Sequence, residues 1–246
     1  MTTKPVLLVI AHGSRDPRHA ATVHALVRRV RSLRPDVRVE TGFLDFNVPG
    51  VRGVLESLAT QGVRDVVAFP LLLTRAFHAK ADIPAVLADA PPQLRVRQAE
   101  VLGPSPLLLA ALERRLYEAG LAPADKSSTG VVLASAGSTD PEAIAVIAEI
   151  AREWRHTGWC AVRPAFASAS LPCTQDAVRE LRALGCSRVA VAPYVLAPGF
   201  LPDRIARGAA EADVLADVLG PAPEVARVVL ERYDTARVPA LAAVSA

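Results

Sequence analysis

Val6-Leu7-Leu8-Val9-Ile10-Ala11-His12-Gly13-Ser14-Arg15-Asp16-Pro17 is an unbroken apolar run that opens into a polar, glycine-bearing loop. An apolar run of this length with no alternation reads as a strand covered on both faces, the pattern of a parallel sheet. The stretch returns as Val131-Val132-Leu133-Ala134-Ser135-Ala136-Gly137-Ser138-Thr139-Asp140-Pro141. Within the shared motif one change is telling: His12 of the first copy is Ala136 of the second.

The repetition extends further. Leu58-Ala59-Thr60-Gln61-Gly62-Val63-Arg64-Asp65-Val66-Val67-Ala68-Phe69-Pro70 matches Leu181-Arg182-Ala183-Leu184-Gly185-Cys186-Ser187-Arg188-Val189-Ala190-Val191-Ala192-Pro193. Each copy reads as a helix end, a capping glycine, a turn and a buried strand stopping at proline. Between these blocks, Phe43-Leu44-Asp45-Phe46-Asn47-Val48-Pro49 faces Phe166-Ala167-Ser168-Ala169-Ser170-Leu171-Pro172. Three blocks in one order at a nearly constant offset indicate a duplicated unit.

Within half one the periodicity predicts strands over residues 6–11, 37–43, 66–72 and 94–99. It predicts helices over 19–33, 51–61, 80–88 and 106–119. Half two repeats the scheme from a strand over 130–135 and a helix over 142–157. The fold class is therefore α/β: two similar halves, residues 1–123 and 129–246, each a mostly parallel sheet flanked by helices on both faces. Residues 123–128 read as the linker and 239–246 as a frayed tail.

Composition supports this reading. The chain has 246 residues, 51% hydrophobic but only 4% aromatic, so its cores rest on Val, Leu, Ala and Ile. No apolar run approaches the roughly 18 residues of a membrane span, and the amino terminus lacks the pattern of a signal peptide. Cys160, Cys173 and Cys186 are an odd number without close metal-binding spacing, which fits a reducing cytoplasm. A net charge of +3 is too mild to indicate nucleic acid.

Ligands of open α/β sheets bind at the carboxyl ends of the strands. His12, Asp45 and His78 follow the first three strands there. Two imidazoles and a carboxylate suit a borderline divalent ion, and imidazole also suits proton removal near neutral pH. His19 and His24 fall in or beside the first helix, where a structural or solvated role is expected. His156 sits at a helix end, where it complements the dipole. No Walker lysine pattern, Rossmann glycine triplet or nucleophile elbow is present, so no nucleotide cofactor is expected.

Ala11-His12-Gly13-Ser14-Arg15, Phe43-Leu44-Asp45 with Pro49, and Phe77-His78-Ala79-Lys80-Ala81-Asp82-Ile83-Pro84 together resemble the class II tetrapyrrole chelatases of the CbiX/SirB type, over nearly the whole chain. The resemblance implies ATP-independent insertion of a divalent metal (Fe²⁺, Co²⁺ or Ni²⁺ as substrate) into sirohydrochlorin or a closely related tetrapyrrole. It serves sirohaem or cobalamin synthesis, with the iron reaction slightly favoured. The family's two histidines fall on His12 and His78, which would bind metal and take pyrrole protons. Its acid falls near Asp45, as a further metal-handling group. Ser14, Arg15, Arg75, Lys80 and Arg204 lie on loops that would meet the macrocycle and its carboxylates. Half two has Ala136, Ser168 and Leu201 at the three key positions, so one site per chain is expected, in a monomer built as an internal pseudo-dimer. A metal or tetrapyrrole carrier and a solute-sensing module are the competing expectations. No nucleic-acid or membrane partner is expected.

Overall fold

The structure is a computed structural model and describes residues 4–75 and 78–237, His78 by its backbone alone. Half one runs β1 (Val6–Ala11), α1 (Pro17–Leu33), β2 (Val39–Phe43), α2 (Val51–Thr60), β3 (Asp65–Pro70), α3 (Ile83–Ala88), β4 (Arg95–Gln98) and α4 (Pro106–Glu118). A 3₁₀ turn, Pro123–Ser128, leads into half two: β5 (Thr129–Ser135), α5 (Pro141–Arg155), β6 (Ala161–Phe166), α6 (Thr174–Ala183), β7 (Arg188–Tyr194), α7 (Phe200–Gly208), β8 (Val214–Leu215) and α8 (Pro223–Arg237). The two parallel sheets have matching orders, β2-β1-β3-β4 and β6-β5-β7-β8.

The repeated sequence signals act alike in both halves. Asp16 caps α1 by accepting from the Arg18 amide, and Asp140 caps α5 by accepting from the Glu142 amide. Proline follows each cap, where its missing N–H costs nothing. Gly62 and Gly185, just after α2 and α6, both take positive φ (78° and 81°), as expected of glycines that end helices.

Two expectations need correction. β7 continues one residue past Pro193, to Tyr194, which pairs with Ser135. The helix expected over 80–88 begins instead as a π-helical turn, His78–Asp82, before α3. Pro84 supplies the reason: in a continuous α-helix its ring would meet the carbonyl of Lys80, and a wider turn avoids that clash.

Each central strand alternates between two cores. In β1, Leu7, Val9 and Ala11 join one cluster, while Val6, Leu8 and Ile10 face α2 and α3. In β5, Val131 and Leu133 join that same first cluster, while Val132 and Ala134 face α6 and α7. The shared cluster also takes the apolar faces of α1, α4, α5 and α8, so it runs continuously between the halves. Its helices are exchanged. α4, from half one, packs on β7, whereas α8, from the end of half two, packs on β3 and β4 and against α1. Tyr233 of α8 donates its hydroxyl to the Pro5 carbonyl at 2.7 Å, and Arg232 reaches the carbonyls of Val101 and Pro104. No helix among the described residues is long and apolar enough to cross a membrane.

Candidate active site

A cleft of about 420 Å³ opens between the halves at the carboxyl ends of β1, β3, β5 and β7. Parallel strands place their following loops at one edge, so the duplicated loops face each other here. Half one contributes His12, Gly13, Ser14, His19 and residues 71–74. Half two contributes Ser135, Ala136, Gly137, Ser138, Phe166 and residues 194–202, together with Ala143, Ile144 and Ile147 of α5. The walls are mainly apolar, the kind of surface a flat hydrophobic ring can lie against.

His12 stands at the end of β1. Its Nδ1 lies 3.1 Å from the Gly13 carbonyl, an acceptor to which it can donate, which orients the ring. The Phe46 ring lies 6.3 Å from the imidazole, and the Arg15 guanidinium sits 5.2 Å from the centre of that same ring. Gly13 has φ +94°, and a Cβ there would overlap the Asp45 carbonyl, so only glycine lets the two loops meet. Ser14 is held in its turn from both sides: its amide donates to Asn47 Oδ1 at 2.8 Å, and its hydroxyl accepts from the Asp16 amide at 3.0 Å.

The other residues singled out from sequence are placed as follows. Asp45 is exposed, lies outside the cleft lining, and accepts from the Phe46 amide at 2.8 Å. That bond steadies Phe46, whose φ is +60°. His78 opens the π-helical turn, and its side chain lies outside the described residues. Arg75 and Lys80 line a separate depression with Glu100, and Arg75 approaches Glu100 at 3.7 Å. Lys80 reaches across to half two, bonding Asp140 at 2.9 Å and Glu142 at 2.7 Å. Those carboxylates hold its pKa above the usual lysine value. Arg204 is exposed on α7, outside the cleft lining. Among the described residues, no group of three or more His, Cys, Asp or Glu side chains forms a metal cage.

Two cleft residues were not expected from sequence. His19 was assigned a structural or solvated role, yet it lines the same cavity as His12. Burial, then the charge of His12, lowers its pKa below the usual imidazole value. The signal was available: carried on by the same offset, the repeat pairs His19 with Ala143, as it pairs His12 with Ala136. Tyr194 lines the opposite wall, and its hydroxyl is buried without a hydrogen-bond partner among the described residues. Desolvation raises its pKa, so it stays neutral. Its counterpart in half one is Leu71.

Comparison with known proteins adds the following. The family model described as CbiX matches residues 6–119 and 130–236. The sirohydrochlorin cobaltochelatase of Priestia megaterium is 30% identical over 206 residues, covering 81% of this chain and 66% of its own length. The sirohydrochlorin ferrochelatase of the same organism is 28% identical over 204 residues, covering 81% of this chain and 76% of its own. The crystal structure of the sirohydrochlorin chelatase SirB from Bacillus subtilis subspecies spizizenii, in complex with cobalt, superposes with a TM-score of 0.80 at 25% identity. It covers 96% of this chain and 97% of that one.

Proposed function

The chain belongs to the CbiX/SirB family of sirohydrochlorin chelatases, in the long form with two similar halves, and on that footing we propose that it inserts Co²⁺ or Fe²⁺ into sirohydrochlorin without a nucleotide cofactor. The observation that carries this reading is the one-sidedness of the cleft. His12 presents an imidazole from half one, while Ala136 faces it from half two on an otherwise apolar wall.

The reaction exchanges one metal ion for two pyrrole protons. An ion in water carries a hydration shell that must be shed, and neutral imidazole nitrogens replace those waters for borderline ions. With Nδ1 of His12 turned to the Gly13 carbonyl, Nε2 is the nitrogen we assign to the ion or to a pyrrole N–H. His78 is the second such residue in our reading. Support comes from its half-two counterpart Leu201, which lines the cleft. The acid role of Asp45 requires its side chain to leave the Phe46 amide and turn inward.

At about 420 Å³ the cleft is in the lower part of the roughly 300–1,000 Å³ range of small-molecule pockets, small for a whole tetrapyrrole bearing many carboxylates. We therefore place one edge of the ring against Leu72, Ile144 and Leu201, with its carboxylates outside at Arg15. Lys80 joins them only by releasing Asp140 and Glu142. The working compartment we propose is the cytoplasm, on the sequence's three widely spaced cysteines. The working unit is a monomer.

Anaerobic mixing of the purified protein with sirohydrochlorin and Co²⁺, Fe²⁺ or Ni²⁺ in turn, followed by visible absorption, tests the reading and ranks the metals. His12→Ala and His78→Ala should each slow insertion by about 100-fold or more, the usual loss for a positioned proton acceptor. Wild-type rates in both variants would refute the site.

A further inference from the structure

His19 lines the same cleft as His12, three residues past the Asp16 cap in the first turn of α1. Its ring is half-buried, and its Nδ1 is closed off from solvent with no hydrogen-bond partner among the described residues. Buried polar nitrogens are normally paired, so this one leaves the ring without an anchor in the fold at the place where the residue lines the cleft. At the equivalent position α5 turns Ala143 toward the cleft.

We propose that His19 is a second imidazole ligand for the incoming divalent ion, holding it beside His12 until the macrocycle nitrogens take it over. The proposal rests on the chelatase reading and deepens it. Neutral imidazole displaces one water from the ion and releases no proton, and the later transfer to the macrocycle returns the imidazole unchanged. Two neighbouring nitrogens favour borderline ions such as Co²⁺ and Fe²⁺ over hard ions such as Mg²⁺. The arrangement confines capture of the ion to half one, because half two has alanine at both equivalent positions.

The test is Co²⁺ titration of the full chain without tetrapyrrole, read by visible absorption and calorimetry, followed by metal insertion kinetics. Wild type is compared with His19→Ala, His19→Gln and the control His24→Ala. His24 is exposed on α1, packs edge-on to Phe43 and is absent from the cleft lining. Loss of even an outer partner of a metal ligand costs about 10–100-fold in affinity, so both His19 variants should bind Co²⁺ at least about tenfold more weakly. Their KM for Co²⁺ should rise in step while the KM for sirohydrochlorin holds, a split that a purely structural role would not produce. His24→Ala should match wild type. Unchanged Co²⁺ affinity in both His19 variants, or no Co²⁺ binding by wild type, overturns the proposal. Normal insertion with His19-independent Co²⁺ binding would strike this inference alone. His19-dependent Co²⁺ binding without insertion by wild type would strike the chelatase reading and uphold the ligand.

Discussion

Gly13 and Gly137 show how much single residues decide here. Both follow a central strand, both hold φ near +90°, and a Cβ on either would overlap a carbonyl, of Asp45 or of Ser168. Gly13→Ala and Gly137→Ala should each therefore cost about 3 kcal/mol or more, measured by denaturant unfolding. Gly13→Ala should also impair insertion more than its stability loss explains, since the Gly13 carbonyl orients His12. Equal activity of the two variants after correction for folded fraction would count against that link. His12 was legible from the sequence because it stands inside a repeated motif, where its replacement by Ala136 is visible. His19 was harder to read, since an isolated helical histidine looks structural until the cleft is assembled. The exposed position of Asp45 was not legible at all, because a carboxylate that caps a turn and one that meets a metal look alike in sequence.

At the scale of elements, the alternation of strands and helices was legible to within a few residues, the π-helical turn before α3 excepted. Capping aspartates, N1 prolines and terminal glycines mark the boundaries chemically. The destination of α4 and α8 was not marked. Their apolar stripes show that one face is buried, and nothing in a stripe says which sheet covers it. In the structure each lies on the sheet of the other half, so the core between the sheets is shared, while the outer cores under α2 and α3 and under α6 and α7 stay within one half. Leu112, fully buried on α4, tests the consequence. Leu112→Ala should cost about 2–5 kcal/mol and shift a single calorimetric transition of the whole chain. Two separate transitions, only one of them displaced, would contradict a shared core.

Seen whole, the molecule closes its cleft with two ion-pair clusters that the duplication relates to each other. In one, Arg18 of α1 joins Asp16 to Asp203 of half two, at 2.6 and 2.8 Å. In the other, Lys80 of half one holds Asp140 and Glu142. Arg18 corresponds to Glu142, and Asp203 to Lys80, so the charges have been exchanged while the crossing was kept. Lys80→Glu sets like charges against Asp140 and Glu142, and should speed hydrogen exchange in the first turn of α5. Combining it with Glu142→Lys should restore protection, and no change in either variant would mean that this crossing does not hold the halves together. The sequence by itself determined the duplication, the parallel α/β architecture and the one-sided loss of His12's counterpart, because these reside in local periodicity and in repeated motifs. Only the tertiary structure decided the exchange of α4 and α8, the placement of His19 in the cleft and the engagement of Lys80 with half two. Each of those depends on which surfaces meet across sixty or more positions of chain, and packing, not local pattern, selects such partners.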